Sequence, residues 1–437
     1  MPSPTRETSE RPNWSSQRAY VLASVAGVVG LGNLWRFPYM VGENGGGSFI
    51  VAYLICVLLI GIPLAIVEVS AGKYIMRGPV GVFRSINPVW GPWFGWFLVG
   101  MTVLIMSYYF VITGWTLGYA GNAIVGNLST FPEFTDGYTS LWLFMVVCGL
   151  VVIGLMKGVG GVEATSKFLM PLLVLIVGSL AIYGQSLDGA SAARDFYFSV
   201  EWDQFTESRT WRMAAGQAFY SLSIGLGFLI TYGSYAPRNL NVLGSTTAVA
   251  ATNSTISMVA GLMVFPIVFT FGLQPDAGSQ LSFTAIPVLL NDLAAGRLIG
   301  VAFFVLLFLA AFTSCYGGMM IPMTAVRYEL NLSKFKAAVV ATSVTAMLGI
   351  PSALSFTDSN LTLGGQPFLD RMDQITGSGT VLVAGFIGTA LLAWFIPLDR
   401  LTVSTGSHHA RKVSYGVIYI ARFVPLVAAT AFAATSL

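Results

Sequence analysis

At 437 residues, 55% of them hydrophobic and only 9% charged, the chain has a mean hydropathy of +0.74. Soluble domains carry roughly 25% charged residues, so a soluble globular enzyme is excluded and an all-α integral membrane protein embedded in a lipid bilayer is expected. The formal net charge of +3 is small, and no nucleic-acid partner follows from it.

The chain opens on a polar tail, residues 1–16, without the short apolar core of a signal peptide. A membrane-crossing helix needs about 20 apolar residues. On that length, spans are predicted at 17–40, 46–72, 93–124, 140–156, 167–186, 213–235, 243–273, 298–326, 336–355, 374–398 and 413–435. Fifteen lysines and arginines then fall on the side of the N-terminus, and six (Arg36, Arg194, Arg209, Arg212, Arg297 and Arg371) on the other. That asymmetry predicts a multi-pass cell-membrane protein with a cytoplasmic N-terminus and, after eleven spans, an outside C-terminus. Segments 186–212 and 274–297 are too short for a soluble domain and are expected to fold over an outer vestibule. The three cysteines, Cys56, Cys148 and Cys315, lie inside apolar runs and read as small buried hydrophobes rather than a disulfide framework.

The first span is not a simple anchor. Its sequence GVVGLGNLWRFP, Gly27 to Pro38, places three glycines, an asparagine, an arginine and a proline in one apolar run. Glycine weakens a helix interior and a charge is costly in hydrocarbon. Backbone freed from a helix at membrane depth survives only where protein or a cavity surrounds it, so this stretch reads as the break in a discontinuous helix. Five spans later SLSIGLG, Ser221 to Gly227, interrupts the sixth span in the same way. Broken spans at corresponding positions of two halves point to a midplane binding site in an inverted-repeat transporter. The halves are 17–186 and 213–398, with 413–435 peripheral.

Trp14, GVVGLGNLWRFP, ENGGGSF (Glu43 to Phe49), GQAFYSLSIGLG (Gly216 to Gly227), TSCYGG (Thr313 to Gly318) and LDRMD (Leu369 to Asp373) together resemble the neurotransmitter:sodium symporter family, whose bacterial archetype is the leucine transporter. The resemblance covers essentially the whole chain. It implies the leucine-transporter-type 5+5 inverted repeat with broken helices 1 and 6, here with eleven transmembrane helices where most members carry twelve. A monomer or weak dimer is expected.

Residue by residue, the resemblance assigns a substrate pocket to Gly27, Val28, Leu31, Gly32, Ile105, Tyr109, Tyr220, Ser221, Ser223, Leu226, Ser314 and Gly318. The amides of Leu31 and Gly32, at a half-helix N-terminus, suit a carboxylate, and the Tyr109 hydroxyl would bind it too. By itself a tyrosine in an apolar span reads as core or belt packing. One sodium ion is expected at the Val28 carbonyl, Asn33, Ser221, Asn253 and the substrate carboxylate. A second is expected at the carbonyls of Ala26, Val29 and Ala310 with the hydroxyls of Thr313 and Ser314, although such hydroxyls alone often bond back to the preceding turn. Tyr53, Gln217, Ser221, Asn253 and Ser257 match the family's chloride site, and spans six and seven hold no carboxylate that could replace the anion. Arg36 and Asp373 match an outer gate pair, with Tyr220 as a lid. Arg11 and Trp14 match an inner latch, whose acidic partner in the family is replaced here by Tyr328; either the adjoining Glu329 takes that role or the inner gate is weaker. Glu68 matches a glutamate that pins the sixth-span backbone, and Arg422, in the eleventh span, reads as packing or snorkelling.

Two changes from the leucine transporter, glycine at 27 and at 318, are expected to enlarge the pocket. Monoamine carriers place an aspartate where this chain has Gly30, so the substrate is expected to bring its own acid group. A large α-amino acid and a taurine- or GABA-like ω-amino acid both remain open. The expected function is sodium-coupled, chloride-dependent symport of a small zwitterion, against a transport-inactive sensor of the same fold or a channel. No catalysis is expected. The sequence shows no nucleophile–base constellation, and its two histidines, His408 and His409, are placed in a cytoplasmic loop. The run Asn44 to Gly47 lacks the Lys-Ser/Thr of a phosphate loop.

Overall fold

Glycine decides where this chain bends. In the computed structural model, which describes residues 13–275, 283, 287, 290, 295–403, 408–424 and 427, the first apolar run is two helices. α1 (Gln17–Val28) is capped by the Ser16 hydroxyl, which accepts the Ala19 N–H, and it stops at Val29, where the backbone turns extended. The chain re-enters helix through a π-turn, Gly32–Arg36, and continues as α2 (Phe37–Glu43) with Pro38 in the first turn, where its missing N–H does little harm. The two halves are bent by 54°.

The second span is α3 (Gly47–Cys56) and α4 (Ile62–Ile75), joined by a π-turn before Pro63. Short α5 (Pro79–Ile86) leads into α6 (Gly91–Val125), the third span, and α7 (Phe131–Thr135) follows. The separate spans expected at 140–156 and 167–186 are two helices that meet at Gly158 without an intervening loop, together running from Thr139 to Gly184 (α8). The change of direction comes at Gly158 (φ 62°, ψ −152°), a conformation that a Cβ essentially forbids.

Beyond α9 (Ala190–Phe198), the sixth span is α10 (Ser208–Leu222) and α11 (Phe228–Ser234). Between them Ser223, Gly225 and Gly227 all have positive φ (56°, 78° and 72°). The glycines take this readily; Ser223 is the one residue of the three that strains to do so. α12 (Val242–Thr270), α13 (Gly296–Glu329) and α14 (Lys334–Ala353) are continuous. A two-stranded antiparallel hairpin, Thr362–Leu363 with Gln366–Pro367, precedes the tenth span. That span comprises α15 (Phe368–Met372), a π-helical turn Asp373–Thr380 and α16 (Val381–Phe395).

After α17 (Leu398–Val403), His408 and His409 open α18 (His408–Ala421) rather than lying in a loop. Most of the eleventh span's second half lies outside the described residues, as does most of 276–294. Arg422 donates from Nε to the Ala393 carbonyl (2.7 Å), a helix-end carbonyl of α16, and its guanidinium lies 5.6 Å from the Trp394 ring centroid. It ties α18 to the tenth span, which is a packing role.

Lipid offers no hydrophobic driving force between helices, so close approach matters more. α4 and α11 touch through glycine: a Cβ at Gly72 would lie 2.1 Å from the Ile230 carbonyl oxygen, and one at Gly233 2.6 Å from that of Val69. The same pair is fixed at the break by Glu68, whose Oε1 accepts the Gly225 N–H (2.9 Å).

Gly158→Ala should lower the thermal unfolding midpoint in detergent. A side chain forced into this backbone region costs about 1–3 kcal/mol, and its Cβ would also meet Lys334 Nζ at 2.7 Å. Tryptophan fluorescence during heating checks it, and an unchanged midpoint refutes the assignment.

Candidate functional site

The two breaks face each other across the core, and side chains from other helices take up the polar groups that they free. The last N–H of α1's ladder, that of Val29, reaches back to Val25, so the carbonyls of Ala26, Gly27 and Val28 lie beyond any N–H the helix supplies. The Leu31 N–H donates to the Tyr109 hydroxyl (2.8 Å). Asn33, fully buried, accepts the Gly30 N–H on Oδ1 (3.1 Å) and donates from Nδ2 to Asn253 Oδ1 and Ser257 Oγ (both 2.8 Å).

Of the expected second sodium set, the structure joins Ser314 to Val29 (hydroxyl to carbonyl, 3.2 Å) and Thr313 to Ala310 (2.9 Å). Ala26 lies in the adjacent turn. All are neutral oxygens, as a small hard cation prefers. Of the first set, Asn33 and Asn253 meet directly, whereas Ser221 turns away to Tyr53 (3.3 Å) and the Ala218 carbonyl (3.4 Å).

The residues matched to chloride divide. The Tyr53 hydroxyl lies 3.2 Å from Ser254 as well as near Ser221, and Ser257 donates to the Asn253 carbonyl (3.2 Å). The Asn253 Nδ2 is buried without a partner. Gln217 does not join them with a free amide: its Nε2 donates to the Gly32 carbonyl (2.9 Å) and its Oε1 accepts from Arg36.

A cavity of about 40 Å³ lies between the breaks. That is room for roughly three waters. Gly32, Tyr109, Tyr220, Ser223 and Ser314 line its polar part, and Val28, Ile105, Leu226 and Gly318 continue it. Leu31 contributes its N–H to Tyr109, not its side chain, and Ser221 is not among the lining residues. Sequence reasoning missed Thr102, Met106, Phe228 and Ile321. Phe228 was findable, since it follows the GLG break directly. The enlargement expected from the two glycines does not occur: Phe228 fills the space beside Gly27, and Met106 that beside Gly318.

The cavity has direction. Thr102 lies seven residues before Tyr109 on α6, and Ile321 seven after Ser314 on α13, each roughly 10 Å along its helix toward the N-terminal face of the protein. Tyr109, Tyr220 and Ser314 stand toward one end, and Ile105, Met106, Leu226, Phe228 and Ile321 extend from it, with the Thr102 hydroxyl at the far end bonded to the Leu98 and Leu226 carbonyls. Among the described residues, no charged side chain lines the cavity.

Toward the opposite face, the residues expected to form an outer gate are held by aromatic side chains. Arg36, 2% exposed, stands 4.8 Å from the Tyr220 ring centroid, and Asp373 accepts from the Tyr108 hydroxyl (3.0 Å). Among the described residues, ion pairs within 4.0 Å join Arg84 to Glu329 and Lys167 to Glu163. Glu329 is therefore engaged by Arg84. Arg11 lies outside the described residues. Trp14 is 2% exposed; its indole N–H donates to the Tyr232 carbonyl and its own N–H to that of Tyr235 (both 3.0 Å). The N-terminal segment gains a tie that the sequence did not suggest: Ser15 donates from both N–H and hydroxyl to Glu163.

The comparisons with known proteins agree over the full length. The pattern of the Sodium:neurotransmitter symporter family matches residues 11–132 and 136–436. An uncharacterised sodium-dependent transporter of Haemophilus influenzae is 30% identical over 97% of this chain and 98% of its own. The mouse sodium-dependent neutral amino acid transporter B(0)AT2 is 33% identical over 59% of this chain and 41% of its own. The crystal structure of MhsT in complex with L-phenylalanine superposes with a TM-score of 0.88 at 32% identity, covering 98% of this chain and all of that one. With its broken helices, leucine-transporter-type fold and many apolar spans, the chain is a multi-pass membrane protein that belongs to the sodium:neurotransmitter symporter family of sodium-dependent transporters, not an enzyme.

Proposed function

We propose that the protein carries a neutral α-amino acid with an apolar side chain across the membrane, driven by two sodium ions and accompanied by chloride, through alternating access between its two five-helix repeats. The N-terminal face is cytoplasmic in this reading. One observation carries the choice of substrate: groups suited to a carboxylate and ammonium gather at one end of the cavity, around Tyr109, Leu31, Gly32 and Ser314, and apart from Tyr220, Ser223 and Thr102 the other side chains that line it are apolar. An ω-amino acid needs a polar partner at both ends, and at the far end the Thr102 hydroxyl already donates to the Leu98 and Leu226 carbonyls. The names of the relatives point the same way, to neutral amino acids for the mouse protein and phenylalanine for MhsT.

For sodium, the support is the set of neutral oxygens at Asn33, Asn253, Val29, Ala310, Thr313 and Ser314, beside the unpaired carbonyls at the end of α1. For chloride, it is the unpartnered Asn253 Nδ2 near Ser257, with the hydroxyls of Tyr53 and Ser221 close to each other. Two sodium ions against one carboxylate leave a positive charge in a low-dielectric interior, where it is expensive to leave unbalanced. Helices α10, α11 and α12 supply no carboxylate.

Three outcomes follow. In proteoliposomes, replacing external sodium by choline should abolish accumulation of labelled neutral amino acids; undiminished accumulation would mean another coupling ion. Tyr109→Phe removes a hydrogen bond to a charged group, about 1.5–3 kcal/mol, so substrate affinity should fall roughly 10-fold or more, and binding within twofold of wild type would show that the hydroxyl does not touch substrate. Replacing chloride by gluconate should slow the wild type but leave Ser257→Glu much less affected. Equal chloride sensitivity of the two would remove the anion site.

A further inference from the structure

Phe228 opens α11 immediately after the glycine-rich break, and its side chain lines the cavity. A Cβ at Gly27 would lie 2.4 Å from Phe228 Cζ, well inside van der Waals contact, so the missing side chain of Gly27 is what seats the ring. Behind it, Phe228 stacks on Tyr232 with centroids 4.0 Å apart at 27°, and Tyr232 packs on Trp14 at 5.2 Å. Tyr232 is itself fully buried and hemmed in: its hydroxyl is 3.2 Å from where a Cβ on Gly27 would be and 2.7 Å from one on Gly317. The Phe228 ring therefore has nowhere to retreat. Met106 differs. It meets Gly318 with the end of an unbranched thioether, whose Cε would lie 2.8 Å from a Cβ there, and such a side chain adapts easily.

The geometry points to Phe228 as the residue that sets the size of side chain the substrate can carry, a fixed inner wall with Met106 as the adjustable one beside it. This rests on the neutral amino acid reading above. A substrate anchored by its carboxylate near Tyr109 and Leu31 directs its side chain inward along the cavity, where the next rigid surface is the Phe228 ring. A wall backed by a packed aromatic stack sets a sharp limit, since apolar pockets discriminate by roughly 10–200-fold per methylene.

The test uses the full chain in proteoliposomes, with sodium-dependent uptake of labelled leucine and competition by alanine, leucine, phenylalanine and tryptophan. Wild type should admit tryptophan least. Phe228→Ala should improve tryptophan relative to leucine by about tenfold or more, with the half-saturating sodium concentration unchanged. Phe228→Leu should shift the ranking the same way by less, and it guards against poor folding of the alanine variant. Gly27→Ala should lose uptake by colliding with the ring, and combining it with Phe228→Ala should restore uptake. The wild-type size ranking in both Phe228 variants, or no restoration in the double variant, overturns the proposal. A wild type that takes up none of the four overturns instead the function on which it rests.

Discussion

Backbone left without partners in the middle of a membrane is the constraint on which this structure depends. Lipid cannot hydrogen-bond, so each amide released by a helix break must be met by protein or by a bound solute. The breaks at Val29–Leu31 and Ser223–Gly227 are met from three other helices, α4, α6 and α13. Tyr109 takes the Leu31 N–H, Glu68 that of Gly225, Thr102 the Leu226 carbonyl (2.7 Å) and Ser314 that of Val29. Each such bond also fixes a distance between helices. The disrupted helices are for this reason tied to their neighbours at the breaks themselves, and the carbonyls left over at the end of α1 are those nearest the proposed ion sites.

The residues expected to form the two gates are held by different physics. Bringing two opposite charges together in a dry interior requires desolvating both, and the attraction often fails to exceed that cost. Here Arg36 lies over the Tyr220 ring and bonds Gln217, while Asp373 is served by Tyr108. Gln217, bonded to both Arg36 and the Gly32 carbonyl, ties Arg36 to the first break.

On the N-terminal face, burial dominates over charge. The Arg84–Glu329 pair is part-exposed, its arginine 39% so, and exposed pairs contribute about 0–1 kcal/mol. Trp14, almost wholly buried, makes two backbone hydrogen bonds and rests on the stack that ends at the cavity. Ser15 and Glu163 hold the adjoining segment. A single ring, that of Tyr232, separates Phe228 from Trp14.

The sequence by itself determined the membrane class, both helix breaks and the oxygen-bearing residues around them. Hydropathy, glycine and proline act locally, and their effect is written at the position where it occurs. The fourth and fifth spans were legible as two because Gly158, which parts them, acts locally as well; hydropathy understated only how closely they join, since helix resumes directly on either side of it. What only the tertiary structure decided is who fills the space that a glycine leaves. Gly27 and Gly318 promised room when read alone, and Phe228 and Met106, distant in sequence, occupy it. Likewise Glu329 was a plausible partner for the N-terminal tail until the fold placed Arg84 beside it. Volume and charge pairing are properties of facing surfaces, and a single chain position carries only one side of each.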